Sequence, residues 1–124
     1  MADAKHIVVV DDDADFREIF STKLRMMGFD VQVADGAEKG VEAVRQHLPD
    51  LVLMDVQMPG KSGIEAFFEL RNDPATSKVP VMFLTNLGAV EVEAQQIIDQ
   101  YSRELGAVGC LKKTDDLDSL GFIS

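Results

Sequence analysis

A single cysteine, Cys110, stands in this chain of 124 residues, so no internal disulfide can form and a reducing compartment is the natural setting. Basic residues are also scarce: 12 Lys and Arg face 22 Asp and Glu, for a formal net charge of −10. That deficit argues against phosphate-backbone binding, which depends on Lys and Arg, and no direct nucleic-acid contact is expected of this domain. No apolar run approaches the roughly 18 residues of a membrane span. The opening Met1-Ala2-Asp3-Ala4-Lys5-His6 lacks the basic segment and apolar core of a secretory signal. A cytoplasmic protein without a membrane partner is expected. Repeats, linkers and low-complexity segments are missing too. At this length one domain over residues 1–124 should bury roughly two thirds of its unfolded surface, with no need of a metal or disulfide staple.

What is present is an alternation. His6 to Val10 is an apolar, β-branched run ending in Asp11, Asp12 and Asp13. Phe16, Ile19, Phe20, Leu24 and Met27 then follow helical spacing, and Gly28 stands where a C-terminal cap would. Val31, Val33 and Ala34 suggest a second strand, and Ala37, Gly40, Val41, Val44 and Leu48 a second helix before Pro49. Leu51 to Met54 reads as a strand buried on both faces. Asp55 is expected to be the first residue to leave it, facing solvent above the turn made by Met58-Pro59-Gly60 and Ser62-Gly63. Ile64, Phe67, Phe68 and Arg71 mark a third helix, and Val79 to Leu84 a fourth strand ending at Thr85. Val90 to Leu105 has the pattern of a long amphipathic helix, Val108 to Leu111 that of a fifth strand ending at Lys112-Lys113, and residues 115–124 that of a short final helix.

Five apolar strands alternating with helices specify an α/β fold with an open parallel sheet covered on both faces. In such sheets ligands bind outside the carboxyl ends of the strands. The residues that end strands one, three, four and five are Asp11/Asp12, Asp55, Thr85 and Lys112/Lys113, and all lie on that one edge. Carboxylates gathered there repel one another by roughly 4 kcal/mol per close pair at an effective dielectric near 20. They need a counter-ion. Oxygen ligands without His or Cys select a hard divalent cation, with Mg²⁺ preferred and zinc disfavoured. His6, at a strand start, and His47, at a helix end, lie away from this edge. A carboxylate beside a cation, a Lys and a hydroxyl has the parts needed to accept a phosphoryl group, and Asp55, single and central, is the best nucleophile.

Four segments in order, Val10-Asp11-Asp12-Asp13, Leu53 to Gly63 around Asp55, Phe83-Leu84-Thr85, and Gly106 to Lys113, give the chain a likeness over nearly its whole length. It resembles the CheY-like receiver domain of two-component response regulators. The resemblance implies a flavodoxin-like five-stranded parallel sheet of order 2-1-3-4-5 with helices on both faces. It implies Asp55 as phosphoacceptor, Asp12 and Asp55 as direct Mg²⁺ ligands, Asp11 acting largely through water, and the backbone carbonyl of Gln57 completing the protein ligands. Thr85 and Lys113 would contact the phosphoryl group, the count from Gly106 favouring Lys113 over the adjacent Lys112. The donor would be a sensor histidine kinase or a histidine phosphotransfer protein, and the target a downstream protein or an output domain. A homodimer is compatible with the family. Such a domain catalyses its own phosphorylation and dephosphorylation and is not otherwise an enzyme.

The chain departs from the family at several places. Thr114 stands where the family's lysine is usually followed by proline, which predicts a trans Lys113-Thr114 bond, since a cis bond there would cost about 2.5–4 kcal/mol. Cys110 replaces the aromatic switch residue and reads as a small buried hydrophobe. Asn86 replaces a small residue, and the stretch from Thr85 to Lys113 is longer than usual. These departures motivate an alternative, a receiver-like interaction module whose output no longer depends on phosphorylation. A phosphohydrolase would need a cap that 124 residues do not supply. Three acids after the first strand would repel the phosphate of a flavin.

Overall fold

The computed structural model describes residues 5–56, 58, 60–85 and 109–112, with Thr85 and residues 109–112 described by their backbone. Five strands, β1 (His6–Val10), β2 (Asp30–Ala34), β3 (Leu51–Asp55), β4 (Val81–Thr85) and β5 (Gly109–Lys112), form one sheet of order β2-β1-β3-β4-β5. Every neighbouring pair is parallel. Among the described residues three helices lie between the first four strands in the chain: α1 (Ala14–Met26), α2 (Ala37–His47) and α3 (Gly63–Asn72). The expected helix from Val90 to Leu105, the final helix and the Lys113-Thr114 bond lie outside the described residues.

Strand apolarity follows from the two covered faces. Along β1 and β3 the side chains alternate between two cores, so every position must be apolar rather than every second one. Ile7, Val9, Leu51 and Leu53 pack with Phe20 and Leu24 of α1. Val8, Val10, Val52 and Met54 pack with Val41 and Val44 of α2 and with Phe67 and Leu70 of α3. Fully burying such side chains contributes about 1.5–3 kcal/mol each. Phe67 meets Phe83 edge-on at 5.3 Å, joining α3 to β4. Gly40 lets α2 come close to β1, since a Cβ there would stand 2.7 Å from a Val10 methyl.

Local chemistry sets the helix ends. The Asp13 carboxylate accepts from the Asp15 and Phe16 backbone N–H groups at 3.0 and 3.2 Å, which starts α1. Gly28, at φ +97°, ends it. Ser62 Oγ accepts from Glu65 N at 3.1 Å and starts α3. Leu48 does not extend the buried face of α2 as its spacing suggested. It is the C-cap, at φ +43° and 55% exposed, because Pro49 disfavours helical geometry in the residue before it. Ile19 likewise fits the α1 spacing yet is 56% exposed. β4 begins at Val81 rather than Val79, since Pro80 has no N–H for the ladder and Val79 N bonds Thr76 O in a turn.

Candidate functional site

The acids that end β1 and β3 are placed by the ladders they extend. Asp11 N donates to Ala34 O at 3.1 Å, carrying β1 pairing one residue past the strand, and the Asp11 side chain is fully buried. Its Oδ1 accepts from Asp13 N at 2.9 Å, and its carbonyl accepts from Arg17 Nη1 at 2.7 Å. The acidic turn is thereby fastened both to itself and to α1. Asp12 projects from the same turn and is exposed.

Asp55 departs from expectation in two respects. It is the last residue of β3, in register with Leu84, and Val56 N continues the ladder to Leu84 O at 3.1 Å, so Asp55 does not leave the sheet. Nor does it face solvent, being 3% exposed. Gly63 packs against the Asp55 backbone. Its N–H donates to Val56 O at 3.1 Å, and a Cβ on Gly63 would stand 2.0 Å from the Asp55 carbonyl oxygen. The first turn of α3 therefore presses against the strand tip, a contact that leaves no room for any side chain. Val56 and Met58, both buried in the core beside α3, hold the start of the intervening loop.

Asp11, Asp12 and Asp55 meet at the carboxyl edge of the sheet: one carboxylate oxygen from each lies within 4.8 Å of the others. At that separation each like-charge pair costs about 3 kcal/mol at an effective dielectric near 20, less where solvent reaches Asp12. The three-oxygen donor set, without nitrogen or sulfur, fits a hard divalent cation. Thr85 ends β4, one residue past the register partner of Asp55, and pairs in the backbone with Lys112 of β5. Gln57 and Lys113 lie outside the described residues. His6 and His47 take no part in the cluster; His6 starts β1 at the opposite edge, where its N–H donates to Asp50 Oδ2 at 2.8 Å.

Two contributors were hidden from the sequence reading. Gly63 was read as a turn residue, but its role is closeness, since α3 begins there against Asp55. Arg17 sits six residues past Asp11, one side of an otherwise unremarked helix turn, and only the fold brings its guanidinium back to the Asp11 carbonyl.

Residues 7–121 match the family described as the response regulator receiver domain. Among curated relatives, the phosphate regulon transcriptional regulatory protein PhoB of Pseudomonas aeruginosa is 34% identical over 91 residues, 73% of this chain and 40% of that protein. A homolog of the transcriptional regulatory protein CpxR in Haemophilus influenzae is 38% identical over 107 residues, 86% of this chain and 43% of that one. This chain thus spans less than half of these relatives. Among solved structures, the chemotaxis protein CheY4 of Vibrio cholerae has a TM-score of 0.80 at 23% identity, covering 98% of this chain and 96% of that one. The receiver domain of sensor histidine kinase PA1611 from Pseudomonas aeruginosa PAO1, which has a magnesium ion in its active-site cleft, gives a TM-score of 0.79 at 23% identity over 98% and 94%. At such identities the structural likeness establishes a CheY-like fold, and the family match establishes more. This chain belongs to the response regulator receiver domain family of two-component signalling.

Proposed function

We propose that this chain is a single receiver domain over residues 1–124, in the cytoplasm, that takes a phosphoryl group onto Asp55 from a phosphohistidine of a sensor kinase or a histidine phosphotransfer protein. The observation that carries the reading is the convergence of Asp11, Asp12 and Asp55 within 4.8 Å at the carboxyl edge of a parallel sheet. Asp12 and Asp55 would hold Mg²⁺ directly, with Asp11 acting through water and the Gln57 carbonyl as a further ligand. Bound there, the cation supplies neutralisation of the phosphoryl oxygens. Asp55 attacks phosphorus in line; its O–P bond forms as the P–N bond to the donor imidazole breaks, and that nitrogen keeps the electron pair and takes up a proton. Thr85 and Lys113 would bind the transferred oxygens. Positioning and electrostatics account for most of such a reaction. The phosphoryl group would then draw Thr85 and its loop inward and shift a two-state population read by an output domain or downstream protein.

The test is incorporation of phosphate from acetyl phosphate or phosphoramidate, with and without Mg²⁺. Wild type is expected to label only with Mg²⁺, and Asp55→Ala not at all. Absence of labelling in wild type, or undiminished labelling of Asp55→Ala, rejects the proposal.

A further inference from the structure

Arg17 belongs to α1, yet its guanidinium serves the segment ahead of that helix. Asp13 is the N-cap of α1, and Arg17 N donates to Asp13 O at 3.0 Å in the first turn. Side chains on a helix lean toward its amino end, so an Arg one turn in can reach back over the cap. Arg17 does so: its half-buried side chain donates through Nη1 to the Asp11 carbonyl at 2.7 Å. A cation at a helix N-terminus works against the helix dipole, by about 0.3–1 kcal/mol at an exposed position. Helix formation therefore gives no reason for an Arg there, whereas Lys23 and Arg25 stand in the last turn, where the dipole favours them. Charge balance beside three consecutive acids would explain a cation, but it would not require a bond to a backbone carbonyl.

What that bond holds is the peptide between Asp11 and Asp12. Two peptide groups flank Asp12, and each is tied. The one before it carries the Asp11 carbonyl that Arg17 grips; the one after it carries the Asp13 N–H, which donates to Asp11 Oδ1 at 2.9 Å. Asp11 is itself fixed through its N–H, bonded to Ala34 O at 3.1 Å. Asp12 lacks an anchor of its own. It is exposed, and among the described residues no hydrogen bond or ion pair engages its carboxylate. An oxygen of that carboxylate nevertheless lies within 4.8 Å of oxygens of Asp11 and Asp55. The backbone of Asp12 sets this direction, and Arg17 supplies one of the two ties on that backbone.

We infer that Arg17 is a positioning residue for the cation site: its bond to the Asp11 carbonyl fixes the peptide ahead of Asp12 and holds the Asp12 carboxylate beside Asp55 for Mg²⁺. This inference rests on the Mg²⁺-dependent reading of Asp11, Asp12 and Asp55. Two consequences separate it from charge balance. By field alone, removing a cation from the acidic turn tightens binding of any divalent ion, and Mg²⁺ and Ca²⁺ gain alike. Loss of positioning weakens binding instead. It weakens Mg²⁺ more, because Mg²⁺ demands near-octahedral geometry at short distances whereas Ca²⁺ accepts a flexible shell.

The experiment is calorimetric titration of Mg²⁺, and separately of Ca²⁺, into wild type, Arg17→Met, Arg17→Lys and Asp12→Asn, with urea unfolding in EDTA to establish that each is folded. Met keeps much of the aliphatic stem of Arg17 and removes the charge and the donors. Arg17→Met is expected to bind Mg²⁺ about tenfold more weakly, in line with losses from the partners of metal ligands, and to lose less affinity for Ca²⁺. Arg17→Lys, which keeps the charge and a donor, should fall between Arg17→Met and wild type. Labelling by acetyl phosphate at saturating Mg²⁺ should stay near wild type in Arg17→Met, with the Mg²⁺ concentration for half-maximal rate raised about tenfold. Tighter or unchanged Mg²⁺ binding by Arg17→Met, or equal losses for the two ions, overturn the inference. Should Arg17→Met not fold, the two-ion comparison is made on Arg17→Lys, where wild-type affinity for both ions overturns it. If wild type itself binds no Mg²⁺, the functional reading fails and the role of Arg17 with it. Binding by wild type that disappears in Asp12→Asn while Arg17→Met keeps full affinity sinks the positioning role alone.

Discussion

The two ends of the sheet carry the same kind of residue and use it in opposite ways. At the amino edge Asp30 and Asp50 are exposed and each lies beside His6: Asp50 accepts the His6 backbone N–H at 2.8 Å, and an Asp30 carboxylate oxygen lies 3.4 Å from His6 Nδ1. At the carboxyl edge Asp11 and Asp55 are buried and converge with Asp12 on one point. An acid that meets a local donor in water closes a strand end and asks for nothing more. Acids driven together by strand register, with α3 pressed over one of them, carry repulsion that a cation relieves. Convergence and burial, rather than acidity, separate a site from a surface.

Substitutions can break this contrast. The largest effect is expected at Asp55: Asp55→Ala abolishes phosphorylation from acetyl phosphate, whereas Asp50→Ala leaves it at the wild-type rate. Gly63→Ala forces a methyl group toward the Asp55 carbonyl oxygen, so the first turn of α3 must move. A loss of about 1–3 kcal/mol or more is expected in urea unfolding, with weakened Mg²⁺ binding. An unchanged midpoint would mean that the close approach is not strained by a side chain.

Smaller effects sharpen the comparison. In EDTA, Asp12→Asn should stabilise the fold by about 0.5–1 kcal/mol by relieving like-charge repulsion, because the exposed position screens the larger value expected of buried pairs. Asp50→Asn, which weakens a hydrogen bond to the His6 N–H, should cost about 0.5–1 kcal/mol. Equal signs for the two would erase the distinction between the edges. The smallest effect is pH-dependent. Asp73 is held below the usual carboxylate range by the Ala75 N–H and then by Arg45. With the folded value depressed, its stabilising contribution is complete above the unfolded carboxylate value of about 3.9 and fades as pH falls through the lower folded one. The drop in urea midpoint from pH 7 to pH 3 should therefore be smaller in Asp73→Asn than in wild type, and an identical drop would remove Asp73 from the acid response.

Much of this was legible because strands buried on both faces write themselves as continuous apolar runs, and what ends each run marks an edge. Val10 before Asp11 and Met54 before Asp55 gave both the sheet and the acidic pocket. Depth was harder to read. Asp55 was expected in solvent, since the Pro and Gly residues after it signalled a turn; the sequence does not say that the turn folds back and seats Gly63 on the strand tip. Long-range polar ties were silent for a similar reason. Lys61 and Glu69 are eight residues apart, and Arg45 belongs to another helix, so no local spacing announces that they meet. Leu48 and Ile19 fitted helical periodicity and lie exposed, because periodicity tells which residues share a face and not which of them the fold covers.

The central claim is that the carboxyl-edge acids form a hard-cation site, and thermal unfolding with increasing Mg²⁺ tests it most directly. Binding to the folded state alone raises stability by RT ln(1 + [Mg²⁺]/Kd), about 2.7 kcal/mol at a hundredfold excess over Kd. The account predicts that the melting temperature of wild type and Asp50→Asn climbs with Mg²⁺, while that of Asp12→Asn stays nearly flat. An equal climb in Asp12→Asn, or none in wild type, would contradict it.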